Sequence, residues 1–266
     1  MKNIPIFDSI SHPTISGDWI SDKYNGLCNI DILINQMIEN NIIKSFAIGM
    51  KNIGSYDEYK YIELLKPYGD YLIPIAYYDV YDDMSITDIR NKLLYIKKIG
   101  YSGIKLHPRF SNFSLSHIYL PYIISFANEL ELSVLLCTYF YHNTEKSLYN
   151  SISSLNELLY TVDDCKIILL HSGTVKLMEM LEIGRSFKNI LLDLSFTLCK
   201  YEGSSIDLDI KYAFDNFDER ICIGSDYPEF SLTKLRERFE YFSNNLSINK
   251  LNNIAYKNLM KYCNLK

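Results

Sequence analysis

The chain has 266 residues, 48% of them hydrophobic, and its 27 basic and 32 acidic residues give a formal net charge of −5. With no basic run, this balance excludes a nucleic-acid or anionic-membrane partner and favours a small-molecule substrate. Residues 1–266 show no linker, no signal peptide and no apolar run of about 18 residues, so we expect one domain in the cytoplasm.

Apolar runs recur about every 30 residues, which is the length of a βα unit. They predict eight strands over 5–8, 44–49, 72–77, 103–107, 133–137, 166–171, 190–193 and 221–225. Amphipathic stretches predict helices over 30–40, 58–66, 86–98, 116–129, 151–159, 176–183, 212–217, 231–244 and 249–262. Because sequence-adjacent strands joined by helices run parallel, the pattern predicts an α/β fold, a single-domain (β/α)8 TIM barrel.

An open, doubly wound sheet is the alternative architecture, and two absent motifs argue against it. No GxGxxG motif follows the first strand, and no P-loop motif occurs, so nucleotide binding has no support. The six cysteines are dispersed without a CxxC pair, which argues against a disulfide scaffold or a structural zinc site.

The longest predicted strand-to-helix connection, over 9–29, carries the only tryptophan, Trp19. Loops that follow barrel strands lie at the catalytic face. Trp19 is therefore a candidate substrate contact in a loop that covers the site. A surface cover without a role in binding is the alternative.

Strands one, four, six and eight each end on a histidine or an aspartate: His12, His107, His171 and Asp226. Any one of them has an ordinary structural explanation, such as a hydrogen-bonded histidine or a capping aspartate. Their joint position at strand tips indicates a site. His12, His171 and Asp226 would make an open three-ligand site for a divalent metal ion that activates water.

Further polar residues surround these strand tips. Lys105 has the same strand parity as His107, so both side chains should face one side of the sheet. Lys105 either orients a substrate carboxylate, is carbamylated as a metal bridge, or is a charge-paired lysine of the barrel. Arg109 is either a ligand for an anionic substrate group or a solvated loop residue. Tyr139, in the loop after strand five, completes the predicted substrate contacts with His107, Arg109 and Trp19.

Two other residues at strand ends have open roles. Asp193 is either a site carboxylate or a buried hydrogen-bond partner of Ser195. Cys137 ends a strand next to the one that carries His171, so a cysteine nucleophile remains an alternative. A Ser-His-Asp hydrolase is the wrong class, because the GxSxG motif is absent.

Five segments match the pattern of a known family in order along the chain: FDSISH at 7–12, GIKLHP at 103–108, LLHSG at 169–173, NILLDLS at 189–195 and IGSDYP at 223–228. They resemble the amidohydrolase-2, or amidohydrolase-related, family of the metal-dependent hydrolases, and residues 253–259 resemble its closing helix. The resemblance implies a TIM barrel that acts on carbon–nitrogen bonds, carbon–carbon bonds or lactones of small molecules, commonly with zinc or a similar ion.

The chain departs from the family pattern at two positions. Ile10 stands where the first histidine of a His-x-His pair is expected, and Cys137 stands where a histidine ends strand five. Isoleucine cannot bind a metal, whereas a cysteine thiolate binds zinc in preference to manganese. The metal ligands then implied are His12, His171, Asp226 and Cys137, with His107 or His142 as alternative additions.

We therefore expect a hydrolase of a small amide, lactone or related carbonyl compound. Asp226 would be the general base, with His171 and Lys105 as the other catalytic residues. Some relatives resemble lactonases that need no metal, in which case the same residues would polarise the substrate and move protons. A decarboxylase and a non-catalytic barrel that binds a ligand or a protein are further alternatives, and the sequence leaves a homodimer open.

Overall fold

A computed structural model of the chain describes residues 4–142 and 144–264. It contains one eight-stranded sheet in which every strand pairs in parallel with the next along the chain. The strands are β1 (Ile6–Ser11), β2 (Ile42–Ile48), β3 (Leu72–Tyr78), β4 (Gly103–Leu106), β5 (Ser133–Cys137), β6 (Ile167–Leu170), β7 (Ile190–Asp193) and β8 (Ile221–Cys222). The predicted (β/α)8 barrel is confirmed.

Helices lie between consecutive strands and after the last strand. They are α1 (Ile30–Glu39), α2 (Glu58–Leu65), α3 (Ile86–Ile99), α4 (Pro108–Ser111), α5 (Leu120–Glu129), α6 (Ile152–Thr161), α7 (Leu177–Ser186), α8 (Thr197–Lys200), α9 (Ile206–Asn216), α10 (Leu232–Phe242), α11 (Ile248–Asn252) and α12 (Asn258–Tyr262). A π-helical segment joins the last two (Asn253–Lys257), and short 3-10 helices occur at Asp22–Tyr24, Lys66–Tyr68 and His171–Lys176. Among the described residues, no helix has both the length and the apolar character that crossing a membrane requires.

The barrel closes between β1 and the chain that follows β8. The Ser9 amide donates to the Ile223 carbonyl at 3.1 Å, and the Asp226 amide donates to the Ile10 carbonyl at 3.1 Å. These bonds continue beyond the two residues of β8. The strand predicted over 221–225 is regular only at Ile221–Cys222. Residues 223–225 run beside β1, whose own register is irregular.

Apolar side chains fill the inside of the barrel and the layer between the sheet and the helices. The interior set includes Phe7, Ile10, Phe46, Ile48, Ile75, Leu135, Ile168, Leu191 and Cys222. Burial of one such side chain stabilises the fold by roughly 1.5–3 kcal/mol. These residues form a solid core, as expected for a barrel of eight strands, so a site has to lie at one end.

The C-terminal helical segment covers the amino-terminal end of the strands. Tyr256 and Met260 pack against the interior cluster. The Tyr262 hydroxyl donates to the carbonyl of Ile167, the first residue of β6, at 2.9 Å, and the Asn258 side chain donates to the carbonyl of Ile221 at 2.8 Å. The carboxyl ends of the strands are left for the loops that form a site.

Candidate active site

A cavity of about 280 Å³ opens at the carboxyl ends of the strands. Eight of the nine predicted site residues line it: His12, Trp19, Lys105, His107, Arg109, Tyr139, His171 and Asp226. The ninth, Cys137, is buried and contacts two of the lining histidines. The fold thus brings the predicted site residues together, while their roles remain predictions.

His12 lies at the end of β1 with both ring nitrogens engaged. Nδ1 is 2.8 Å from the carbonyl oxygen of Ile48, which can only accept, so Nδ1 carries the proton. Nε2 then faces Lys105 Nζ at 3.3 Å and Asp226 Oδ1 at 3.6 Å. Burial and the nearby Lys105 charge lower the pKa of His12, so the imidazole is an acceptor toward the lysine.

Lys105 brings a positive charge into the centre of this end of the barrel. Its side chain is buried, and in β4 it pairs in register with Tyr77 of β3. Burial lowers the pKa of Lys105, and the opposing charge of Asp226 favours the ammonium form. The neutral His12 imidazole lies between this ammonium and the Asp226 carboxylate.

Asp226 follows β8 in a left-handed backbone conformation, with φ 55°. Its amide bond to the Ile10 carbonyl fixes the turn, and its side chain is 14% exposed toward the cavity. Burial opposes ionisation, but the charges of His171 and Lys105 hold the pKa of Asp226 well below its usual range. Asp226 is an ionised carboxylate.

A buried hydrogen-bond network positions His171. Its Nδ1 lies 3.0 Å from Ser195 Oγ and 3.2 Å from the Ser195 carbonyl oxygen. Asp193 accepts from the Ser195 amide at 3.0 Å and from Ser9 Oγ at 2.5 Å. Asp193 is therefore the buried partner of Ser195 rather than a residue of the cavity wall. Although burial opposes it, the charges of Asp226 and Cys137 raise the pKa of His171.

Cys137 ends β5 in hydrogen-bond contact with both His107 and His171. Burial lowers the pKa of His107 to about 4, so this imidazole is neutral. Burial also disfavours a thiolate, but the hydrogen bond of neutral His107 and the charge and hydrogen bond of His171 outweigh it and hold the pKa of Cys137 well below its usual range.

Aromatic side chains and Arg109 form the outer wall. The Arg109 guanidinium carbon lies 4.4 Å from the Tyr139 ring centroid, and its buried Nε has no hydrogen-bond partner among the described residues. The Trp19 ring stacks on His12 with centroids 4.8 Å apart. Trp19 Nε1 donates to Glu229 Oε1 at 3.1 Å, so Glu229 fixes the tryptophan over the site.

Sequence reasoning missed Glu229 and Phe196, which also line the cavity. Glu229 comes directly after the IGSDYP segment, and this position next to a matched segment could have marked it as a candidate site residue. Phe196 has a left-handed backbone, with φ 62°, and contacts both Tyr139 and His171. No residue pattern marks a phenylalanine for such a position.

The described residues do not fit the predicted metal ion. Among them, no group of three His, Cys, Asp or Glu side chains is arranged to hold one. Both nitrogens of His12 are engaged, and the Lys105 ammonium lies beside the nitrogen that would face a metal. Ile10 lies in the apolar interior. A second cation next to Lys105 would be repelled.

Fold and cavity together define a (β/α)8 barrel with a polar pocket at the carboxyl ends of its strands. Among solved structures, the chain is similar to an uncharacterized TIM-barrel protein from Bordetella bronchiseptica, with 14% identity, coverage of 97% of this chain and 98% of that one, and a TM-score of 0.82. No protein-family model and no curated protein matches the chain.

Two other similar structures carry functional names. One is a Staphylococcus aureus protein provisionally named an amidohydrolase, with 15% identity, coverage of 98% and 100%, and a TM-score of 0.67. The other is a 5-carboxyvanillate decarboxylase from Novosphingobium aromaticivorans in complex with manganese and a nitrobenzoic acid ligand, with 12% identity, coverage of 99% and 97%, and a TM-score of 0.69. The chain shares the barrel fold of these proteins, as the sequence resemblance predicted.

Proposed function

We propose that the chain is an enzyme that hydrolyses a small carbonyl compound, a lactone above all, with Asp226 as general base and without a bound metal. One observation carries the proposal. His12 Nε2 lies 3.3 Å from the Lys105 ammonium and 3.6 Å from Oδ1 of the ionised Asp226, so the neutral imidazole contacts both charged groups at the cavity. The positive charge that a metal supplies in other hydrolases would come from Lys105.

The reaction needs one water molecule and no other reactant. Asp226 takes a proton from a water molecule as the water oxygen attacks the carbonyl carbon of the substrate. The Lys105 ammonium stabilises the negative charge that develops on the carbonyl oxygen. His171, whose pKa is raised, donates a proton to the ring oxygen as the carbon–oxygen bond breaks. The product is a hydroxy acid, and Asp226 then returns its proton to His171 through solvent.

Arg109 supports an anionic group on the substrate. Its guanidinium lies against Tyr139 at the cavity wall, and its buried Nε lacks a partner among the described residues. A substrate carboxylate fits this donor set because guanidinium binds carboxylate through paired N–H groups. His107, Trp19 and Tyr139 would contact the rest of the substrate.

Turnover of a panel of carboxylated lactones, esters and amides tests this proposal. Asp226→Asn should lower kcat by about 10²–10⁴, the usual contribution of a general base. Arg109→Met should raise KM for carboxylated substrates more than for uncharged ones. Full activity of Asp226→Asn on an identified substrate would contradict the assignment, and release of carbon dioxide would point to decarboxylation instead.

A zinc-dependent hydrolase is the second candidate. It is favoured by the contact of Cys137 with His171, two side chains of types that bind zinc. The similar decarboxylase structure contains a metal ion, but that ion is manganese. Elemental analysis of tag-free protein, with His171→Ala and Asp226→Ala for comparison, separates the two. Near-stoichiometric zinc that both substitutions remove would favour this candidate. Wild-type protein that takes up no metal from excess divalent ions, yet turns over a lactone, would favour the first.

A further inference from the structure

A second cavity, of about 340 Å³, lies beside the catalytic one. It is bounded by the chain after β2, the end of β3 and the first turns of α2 and α3, and it shares no described lining residue with the catalytic cavity. Its walls include the side chains of Tyr56, Tyr77, Tyr78, Tyr81 and Met84. We call it the tyrosine pocket. Its volume is within the range of small-molecule sites, roughly 300–1,000 Å³.

Tyr78 carries an unpaired hydroxyl group in this pocket. The residue is 1% exposed, and its hydroxyl oxygen has no hydrogen-bond partner among the described residues. The neighbouring Tyr77 hydroxyl, in contrast, is 2.7 Å from Ser111 Oγ. A buried polar group without a partner costs about 1–3 kcal/mol, so such groups are rare. The Tyr78 hydroxyl thus has an unused capacity for a hydrogen bond at the wall of the pocket.

One carboxylate at the tyrosine pocket lacks a cationic side chain as a partner among the described residues. Lys51 forms an ion pair with Asp79. Lys92 Nζ pairs with Glu58 Oε2 at 2.6 Å. Asp88 lines the pocket, and within the described part of the chain it has no cationic partner. Its exposed carboxylate accepts from the Ser85 amide and hydroxyl, in the capping box of α3.

The surroundings of Tyr78 agree with this arrangement. Burial raises the pKa of the Tyr78 hydroxyl, and the negative charge of Asp88 raises it further. The phenol therefore stays protonated, and its oxygen retains lone pairs that can accept from a donor. Aromatic walls with a nearby carboxylate are the surroundings in which organic cations bind, because ring faces attract positive charge.

We propose that the tyrosine pocket binds a small organic ammonium ion with an apolar body. The body would lie against Tyr56, Tyr77 and Met84, while the ammonium group donates to the Tyr78 hydroxyl oxygen and faces Asp88. An anion of the same size would be repelled by Asp88, and a neutral analogue would leave that charge unmatched. This site does not depend on the function proposed for the catalytic cavity.

Isothermal titration calorimetry of the full chain with 2-phenylethylamine tests the proposal directly. The matched probes are 2-phenylethanol, which is neutral, and phenylacetate, which is anionic. We expect saturable binding of the amine and affinities at least about tenfold weaker for both other probes. No saturation by the amine at millimolar concentration, or equal affinity for phenylacetate, would overturn the proposal.

Substitutions locate the site. Tyr78→Phe removes only the unpaired hydroxyl, so we expect an unchanged or higher Tm together with about tenfold weaker amine binding. Asp88→Asn should also weaken binding, and it provides a second test if Tyr78→Phe lowers the Tm. Tyr241→Phe, on the exposed face of α10, is the matched control and should bind normally. Unchanged affinity in both pocket variants would place the amine elsewhere.

Discussion

At the scale of single residues, the central feature is a buried lysine that shares a hydrogen bond with a neutral histidine. Lys105 Nζ and His12 Nε2 are 3.3 Å apart, and the Nδ1 proton of His12 is held by the Ile48 carbonyl. A buried ammonium is costly to desolvate, so its retention beside a carboxylate is typical of a site that uses the charge.

Lys105→Met keeps the length of the side chain and removes its charge. Because no buried ammonium has to be desolvated, we expect a free energy of unfolding equal to or above that of the wild type. Hydrolysis of an identified lactone should fall by about 10²–10³, the usual effect of losing one group that stabilises an oxyanion. Denaturant unfolding and steady-state kinetics measure both effects.

Lys97→Met is the matched control for this substitution, since Lys97 is exposed in the last turn of α3. Lys97→Met should change neither the free energy of unfolding nor the rate of lactone hydrolysis by much. A Lys105→Met protein that is stable and fully active would remove Lys105 from the mechanism.

At the scale of elements, the loop between β1 and α1 holds the only tryptophan against the site. Trp19 Nε1 donates to Glu229 Oε1, and the Tyr24 hydroxyl donates to Glu229 Oε2 at 2.9 Å. One carboxylate after β8 therefore fixes two residues of this loop. The predicted covering loop is in place, and its fixing residue is Glu229.

Glu229→Ala should release this loop. We expect a red shift of the tryptophan emission, because the Trp19 indole becomes more exposed, and a higher KM with a smaller change in kcat. Glu229→Gln, which keeps a carbonyl oxygen for the indole N–H, should show a weaker form of both effects. Emission that is identical in all three proteins would contradict the role given to Glu229.

The close approach of the chain after β8 to β1 also depends on a glycine. A Cβ atom on Gly224 would lie 2.2 Å from Ser9 Oγ, whose own hydrogen bond to Asp193 leaves it little freedom to move. Gly224→Ala should therefore cost about 1–3 kcal/mol, which lowers the Tm by roughly 2–4 °C per kcal/mol in a chain of this size.

Gly69→Ala is the control, because a Cβ there would meet only Lys66 O at 3.6 Å. Its Tm should stay within about a degree of the wild-type value or rise slightly. Equal Tm values for the two variants would show that the contact at Gly224 is not tight.

The strands were predictable because each is an apolar run that ends at a polar residue, and every predicted strand overlaps an observed one. The helix predicted over 212–217 is longer, Ile206–Asn216, because two aspartates in its first turn interrupt the apolar pattern while suiting a helix N-terminus. The four-residue helices α4 and α8 were missed, since one turn carries no periodicity. Which side chains contact one another at the site depends on the conformation of the turn after each strand. The local sequence pattern does not encode that conformation.

At the scale of the whole molecule, Asp8 joins the first, second and last strands of the barrel. Its carboxylate accepts from the Ser225 amide at 2.7 Å, from Ser225 Oγ at 2.8 Å and from Ser45 Oγ at 3.2 Å. Complete burial raises the pKa of Asp8 to about 7, even though these hydrogen bonds oppose the shift. The stability of the closed barrel therefore depends on whether the Asp8 carboxyl group is protonated.

The link has a defined sign. The folded chain holds the Asp8 proton up to about pH 7, whereas the unfolded chain loses it near the ordinary aspartate pKa of 3.8. The folded state binds more protons between these values, so this group lowers the free energy of unfolding as pH rises through that window, by at most about 1.4 kcal/mol per pH unit. Above the window both states are ionised, and the cost is constant.

Asp8→Asn should remove this dependence without opening the barrel. The asparagine oxygen can accept from the Ser225 amide while its NH2 group donates to the Ser45 and Ser225 hydroxyls, which can turn to their other acceptors. Urea unfolding from about pH 4 to pH 8 should show the stability of Asp8→Asn rising relative to the wild type through the window and then levelling off. Asp70→Asn, an exposed carboxylate in the turn before β3, should leave the wild-type curve unchanged. Parallel curves for Asp8→Asn and the wild type would mean that Asp8 is ionised throughout, and that its hydrogen bonds from Ser45, Ser225 and the Ile10 amide outweigh the cost of burying its charge.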